Sequence, residues 1–324
     1  AWRTRVLREE LVSARAAMKV KSAFLATMSH EIRTPMAAIM GYAGLLQGLD
    51  LPAQGRRYLR NVQAASEHLL GIMNDILDMA KLDAGRISLE EQDFSLEQMV
   101  EDVVRLCAPM ANENRNELIC VIDGKIPPML FGDPLRVRQI LMNLASNALK
   151  FTKQGEVRIA VDADGVAGPD EASGRDIVVR MTVSDTGIGI SPDQQERLFQ
   201  PFAQADESMA RTFGGTGLGL HISRSLTRMM HGELSVVSAP GAGAVFTATL
   251  MLGVASTQPE RVCPRMPAAA GQALIVDDNA SARQALADLA QEFGITAETV
   301  GCVGEAKEVV SGATCPYGLV FVDL

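Results

Sequence analysis

At 324 residues the chain is long enough for two or three domains of about 150 residues each, and too long for a single small module. With 47% hydrophobic and 21% charged residues it has the make-up of a packed globular protein, which excludes a disordered or collagen-like chain. Thirty lysines and arginines against 39 acids, a net charge of −9 and only 4% aromatics argue against a nucleic-acid binder, which needs a positive field and often stacking rings.

Residues 1–48 read as one long helix, with Leu7, Leu11, Ala14, Met18, Leu25, Met28, Ile32, Ile39 and Tyr42 at heptad-like spacing. Leu49 to Gly55 reads as a loop. A second helix then carries Tyr58, Val62, Ala65, Leu69, Ile72, Ile76 and Met79 at successive seam positions. One apolar stripe per helix, with no other layer to cover it, predicts pairing with a second copy into a four-helix bundle and hence a homodimer. From Arg86 the pattern changes to short strands alternating with helices. Strands are expected at Ile87–Glu90, Leu118–Ile122, Glu156–Ala163 and Ile177–Ser184, with helices from Ser95 and over Asp133–Phe151. That mixture predicts an α+β sandwich with helices on one face of a mainly antiparallel sheet.

The 26 residues from Leu234 to Pro259 carry no charge, but Pro240, Gly241, Gly243 and Gly253 interrupt them and their Ser and Thr alternate with apolar residues, so they read as a strand pair. No membrane segment or signal peptide is expected. Residues 254–271, with Pro259, Pro264, Pro267 and three consecutive alanines, read as a linker. Strands at Ala273–Val276, Ile295–Val300 and Gly318–Val322, with helices to Phe293 and Val310, then form the βαβαβ start of a parallel sheet that stops short of a whole domain. Five cysteines, scattered and without a CxxC, argue against a disulfide framework or zinc site and for a reducing cytosol.

Four strings carry chemistry. Phe24 to Pro35 contains His30 two residues past Met28, on the outward helix face. An exposed imidazole nitrogen there can act as a nucleophile, the adjacent Glu31 can orient it and take its proton, and Pro35 loosens the helix one turn downstream. Asn143 to Thr152 puts Asn143 and Asn147 four apart on one helix face, where both can offer carbonyl oxygens to a hard cation, with Lys150 in reach of phosphate. Asp185-Thr186-Gly187-Ile188-Gly189 follows a strand, so its Asp can accept from an exocyclic amine while Gly187 and Gly189 let backbone approach a flat ring. Gly214 to Leu220, including Gly215, Thr216, Gly217, Leu218 and Gly219, runs into a helix whose N-terminal amides suit a triphosphate. It is neither a Walker loop nor a Rossmann loop.

The first string resembles the H-box of dimeric sensor histidine kinases, and the second their N-box. The order N-box, DxGxG, Phe199 to Phe202 and GGTGLGL resembles the Bergerat-type ATP-binding fold of the same family. The resemblance implies Mg-ATP held by Asn147, with Asn143 and Lys150 close by. It further implies a mobile lid over Pro201 to Thr212 with Arg211 as a phosphate contact, and His30 as phosphoacceptor. Thr34 matches the position that helps place water for dephosphorylation. Two residues depart from the family pattern: His231, where Gly is usual, and Ala244, where Ser or Thr is usual; both are read as packing variation. His68 and His221 are read as structural.

Asp277, Asp278 and Asp323 sit at strand ends on the carboxyl edge of the parallel sheet, a place suited to a hard cation. Their placement resembles the first half of a flavodoxin-like receiver domain. That resemblance implies Asp323 as phosphoryl acceptor and all three carboxylates as Mg²⁺ ligands.

The resulting organisation is a dimerisation and phosphotransfer hairpin (1–84), a catalytic ATP-binding domain (85–253), a linker (254–271) and part of a receiver (272–324). The expected function is a cytoplasmic ATP-dependent protein-histidine autokinase of a hybrid two-component phosphorelay, in a parent that a missing N-terminal region can anchor to a membrane. The phosphoryl group passes to a receiver in cis, a separate response regulator or a phosphotransfer protein, and a phosphatase mode is open. Two rival readings remain at this point: an ATPase driving conformational work, as in chaperones and type II topoisomerases, and a signalling scaffold. Eight acids and two bases in residues 272–324 place most of the negative charge in the C-terminal piece.

Overall fold

The computed structural model describes residues 31–167, 176–203, 216–259, 272–312 and 317–323. Two compact units emerge, one formed by residues up to Leu89 together with Pro192–Leu226, the other by Glu90–Ser191 together with Thr227–Leu324.

In the first unit, α1 (31–47) and α2 (Ala53–Asp83) make a hairpin. Side-chain hydrogen bonds from Arg33 to Asn74 (3.4 Å) and Gln47 to Gln63 (3.0 Å) fix its antiparallel register. α2 begins at Ala53 after Pro52, inside the stretch expected to be loop up to Gly55, because proline's fixed φ suits a helix start. The face that the hairpin itself buries is Met36 and Ala43 on α1 and Leu59, Ser66 and Met73 on α2. It is not the predicted seam: Ile32, Ile39, Tyr42, Tyr58, Val62, Leu69 and Ile76 are exposed. Each helix therefore carries two neighbouring heptad faces, one closed within the chain and the other open. The same unit holds α5 (Pro192–Arg197) and the start of α6 (Gly219–Met229).

The second unit is built on a seven-stranded sheet ordered β1-β3-β7-β5-β4-β2, with β6 also paired to β7. Its strands are β1 (Gln92–Phe94), β2 (Glu117–Ile122), β3 (Leu130–Gly132), β4 (Glu156–Ala167), β5 (Asp176–Asp185), β6 (Glu233–Ser238) and β7 (Ala244–Val254). Only β2 pairs parallel, with β4. The first strand forms at Gln92–Phe94, not at the expected Ile87–Glu90. Phe94 is the residue that finds a buried slot, and the Glu90 amide is instead taken by Asp133 Oδ2 at 3.0 Å. The uncharged stretch forms the antiparallel β6–β7 pair, and β7 runs to Val254. Beyond it Gln258 bonds both the amide and the carbonyl of Met129, so residues 255–258 pack on the sheet; the predicted linker from residue 260 to 271 lies outside the described residues.

Period-2 burial on β5 and a 3-and-4 stripe on α4 (Pro134–Phe151) explain the layering. Val179, Met181 and Val183 alternate inward, while Val137, Ile140, Leu141, Leu144, Ala145, Ala148 and Leu149 form the apolar side of α4. The helix α3 (Leu96–Asn114) starts on the Ser95 cap and carries Val100, Val103 and Cys107 into the same core.

The C-terminal part of this unit is a parallel sheet ordered β10-β8-β9, made by β8 (Gln272–Val276), β9 (Thr296–Val300) and β10 (Leu319–Val322). The helices α7 (Ala280–Glu292) and α8 (Val303–Gly312) connect them. Among the described residues no helix is long and apolar enough to cross a membrane.

Candidate functional site

α4 is fixed at both ends. Asp133 caps its start by accepting the Arg136 amide at 3.0 Å, with Pro134 in the first turn. At its end the buried Asn116, which sequence reasoning passed over, donates to the Thr152 carbonyl (2.9 Å) and accepts the Gly155 amide (3.2 Å). A lone asparagine at a strand entry gives no sequence signal for this, because its partners lie more than thirty residues away. The rigid helix holds Asn143 and Asn147 off the apolar stripe, half-buried on a common face. Asn147 Nδ2 donates to Asn143 Oδ1 at 3.3 Å, which turns the Asn147 carbonyl oxygen into the group offered to a cation. Lys150, one turn on, lies over the Phe151 ring with Nζ 5.1 Å from its centre, and burial lowers its pKa.

Asp185 ends β5. Burial pushes its carboxyl pKa up, against the pull of hydrogen bonds from the Gly187 and Ala244 amides. The Gly187 amide sits 2.8 Å from Oδ1. A side chain on Gly187 would run into the Phe151 carbonyl, and Gly189, at φ +68, passes against the Ala239 carbonyl. Both glycines are therefore required by close backbone approach. The result is a half-buried acceptor and a narrow backbone turn beside the end of α4, suited to an amine-bearing partner.

In the other unit Thr216, Gly217, Leu218 and Gly219 lead into α6. The Thr216 hydroxyl accepts the Leu218 amide at 3.1 Å and donates to Asp75 Oδ2 at 2.9 Å. Burial raises the Asp75 pKa, the Thr216 hydrogen bond opposes that, and Asp78 adds to it. His221 Nδ1 lies 3.0 Å from the Phe199 carbonyl, a packing contact in keeping with a structural role. Phe202 is exposed with φ +61. His231 has φ +56, so the departure from glycine there is a backbone matter and not the packing variation expected. His30, Arg211 and Gly215 lie outside the described residues, as do residues 204–212 of the expected lid; Glu31 and Thr34 are exposed on α1.

In the parallel sheet, register pairs Val322 with Val276, which brings Asp323 beside Asp277. Carboxylate oxygens of Asp277, Asp278 and Asp323 all lie within 4.8 Å of one another. Ligands of one octahedral Mg²⁺ at ~2.1 Å stand roughly 3–4 Å apart, so small rotations of these side chains suffice and the donor set fits a hard cation. The Asp277 carboxylate also accepts the Asn279 amide, and Arg283 donates to the Asp277 carbonyl, which ties the loop down.

Residues 132–254 match the family described as histidine kinase-, DNA gyrase B- and HSP90-like ATPase, which defines the class of the sheet domain. Residues 20–85 match the His Kinase A (phospho-acceptor) domain. The chain is similar to the sensor histidine kinase GacS of Pseudomonas protegens, with 39% identity over 279 residues, covering 86% of this chain and 30% of that protein. It is likewise 37% identical over 282 residues to the signal transduction histidine-protein kinase BarA of Escherichia coli, again covering 86% of this chain and 30% of that one. A crystal structure of full-length ShkA in complex with AMPPNP superimposes with a TM-score of 0.67 at 33% identity, over 88% of this chain and 56% of that one. The chain thus carries a phospho-acceptor domain and a histidine kinase-like ATPase domain, and it spans about a third of the length of these curated relatives.

Proposed function

We propose that this chain is the kinase core of a hybrid sensor histidine kinase that transfers the γ-phosphoryl group of ATP to His30. The observation that carries the reading is the asparagine pair on α4 together with the half-buried Asp185, whose glycine turn packs closely against the end of the same helix. Asp185 accepts from the adenine amine, Gly187 and Gly189 admit the ring, and the 214–220 loop with Arg211 holds the triphosphate. The Asn147 carbonyl, with Asn143 near it, would hold a Mg²⁺ ion, which would neutralise charge on the phosphates, and Lys150 adds a cation. The His30 imidazole nitrogen attacks phosphorus in line, the bond to the bridging oxygen of ADP breaks, and Glu31 takes the ring proton.

The division into a hairpin (1–84), an ATP-binding domain (85–253), a linker (254–271) and part of a receiver (272–324) belongs to the same proposal. The open stripe Tyr58, Val62, Leu69 and Ile76 supports a homodimer, since a second copy covers it as a four-helix bundle. Asp323, with Mg²⁺ held by it and by Asp277 and Asp278, is the proposed next acceptor in cis; a separate response regulator or phosphotransfer protein is the alternative. Thr34 serves the reverse, phosphatase direction. Incubation with γ-labelled ATP and magnesium tests the core of this: an acid-labile label is expected and is absent in His30→Gln. Undiminished labelling of that variant refutes it, and steady phosphate release without phosphoprotein favours an ATPase that does mechanical work.

A further inference from the structure

The helix α7 lies along β2, the strand at one end of the large sheet. Asn279, the cap of that helix, donates from Nδ2 to Glu156 Oε2 at 3.3 Å, and Glu156 pairs in register with Glu117 at the start of β2. At the other end of the helix Glu292 reaches Gly124, just past β2: a methyl group there would sit 3.1 Å from its Oε2. The helix therefore runs in the same direction as the strand, and its N-terminal end delivers Asp277, Asp278 and Asp323 to Glu117 and Glu156. Burial and then, in turn, the charges of Asp277, Asp323, Asp278 and Glu156 raise the Glu117 pKa, in keeping with the approach that the Asn279–Glu156 bond fixes.

Such a junction is a poor permanent interface, because like charges brought together repel. It is a good conditional one, because a divalent cation at the Asp277, Asp278 and Asp323 cluster cancels two charges on the side that faces Glu117. We propose that the β2–β4 edge of the ATP-binding domain is a docking surface for the acidic end of this chain's own C-terminal unit, and that docking and divalent-cation binding at Asp277, Asp278 and Asp323 strengthen each other. The inference rests on reading those three carboxylates as a magnesium site. By linkage the effect is reciprocal: Glu117 and Glu156 raise cation affinity when the unit is docked, and the cation closes the contact. It sets the phosphoacceptor's availability by cation occupancy rather than by a separate partner.

The test uses the whole chain without nucleotide, so that no Mg-ATP site contributes. Mn²⁺ binding is followed by electron paramagnetic resonance, and docking by hydrogen exchange of the Glu117–Ile122 amides, which β4 pairs on one side and α7 covers on the other. We expect the double variant Glu117→Gln with Glu156→Gln to bind Mn²⁺ about fivefold more weakly. Mg²⁺ should slow exchange across Glu117–Ile122 at least about threefold in the parent chain and not in Asp278→Asn. In chelator, the double variant should exchange more slowly than the parent, its repulsion removed. Mn²⁺ affinity within about twofold of the parent in the double variant, or exchange indifferent to Mg²⁺, overturns the coupling. Unchanged Mn²⁺ binding in Asp278→Asn overturns the underlying site as well, so the two failures are told apart.

Discussion

Replacing Asp185 by asparagine separates the two opposing demands on that side chain. An ionised carboxylate offers about four lone-pair sites. The Gly187 and Ala244 amides engage the group, which leaves it acceptor sites for an exocyclic amine. Asparagine keeps one acceptor oxygen and turns an NH₂ toward groups that are themselves donors. The lost charge-assisted bond is worth ~1.5–3 kcal/mol, which converts to roughly 10- to 150-fold weaker nucleotide binding. Stability moves less, since losing a buried charge offsets the misplaced donor.

The pH dependence has a definite sign. Because burial raises the folded-state pKa of Asp185 above its usual value, the group's contribution to stability is fully present at low pH and is lost as pH rises through that raised pKa. Nucleotide affinity runs the other way: protonation removes the acceptor, so binding weakens on acidification, starting at a higher pH than an ordinary carboxylate would dictate. Titration calorimetry with AMPPNP between pH 8 and 5 is the assay. A variant that binds within about threefold of the parent, or that keeps the parent's pH profile, refutes the assignment of Asp185 as the base-recognising acceptor.

Two further substitutions probe the frame. Leu141→Ala removes a fully buried side chain from the helix that carries both asparagines and should cost about 2–5 kcal/mol, seen as a fall in thermal midpoint, whereas Leu135→Ala on the exposed side of the same helix should stay within about 0.5 kcal/mol. His231→Gly relieves a left-handed backbone at a turn and should stabilise the chain by about 0.5–1 kcal/mol by denaturant titration; a destabilisation would mean the imidazole earns its place by contacts.

Local chemistry was legible in the sequence. The asparagine pair at helical spacing, the strand-ending Asp with two glycines and the acidic pair after an apolar run all lie where the sequence reading placed them, because capping, periodicity and glycine's conformational freedom act over a few residues. One expectation failed, and another was left open by the sequence, for a common reason. The strand expected at Ile87–Glu90 formed instead at Gln92–Phe94, since pairing to β3 and burial of Phe94, not β-propensity, choose the register. The hairpin's apolar positions were visible, yet which heptad face closes within the chain and which stays open is fixed by how the two helices meet.

What the sequence by itself determined is most of the elements and the residues proposed to carry phosphoryl chemistry. The tertiary structure alone decided the rest. Asn116 holds the end of α4 through carbonyls more than thirty residues away, the parallel pairing of β8 and β10 brings Asp323 to Asp277, and α7 brings these acids to Glu117 at the β2 edge. Each depends on long-range pairing, where the energy comes from partners that no local window contains.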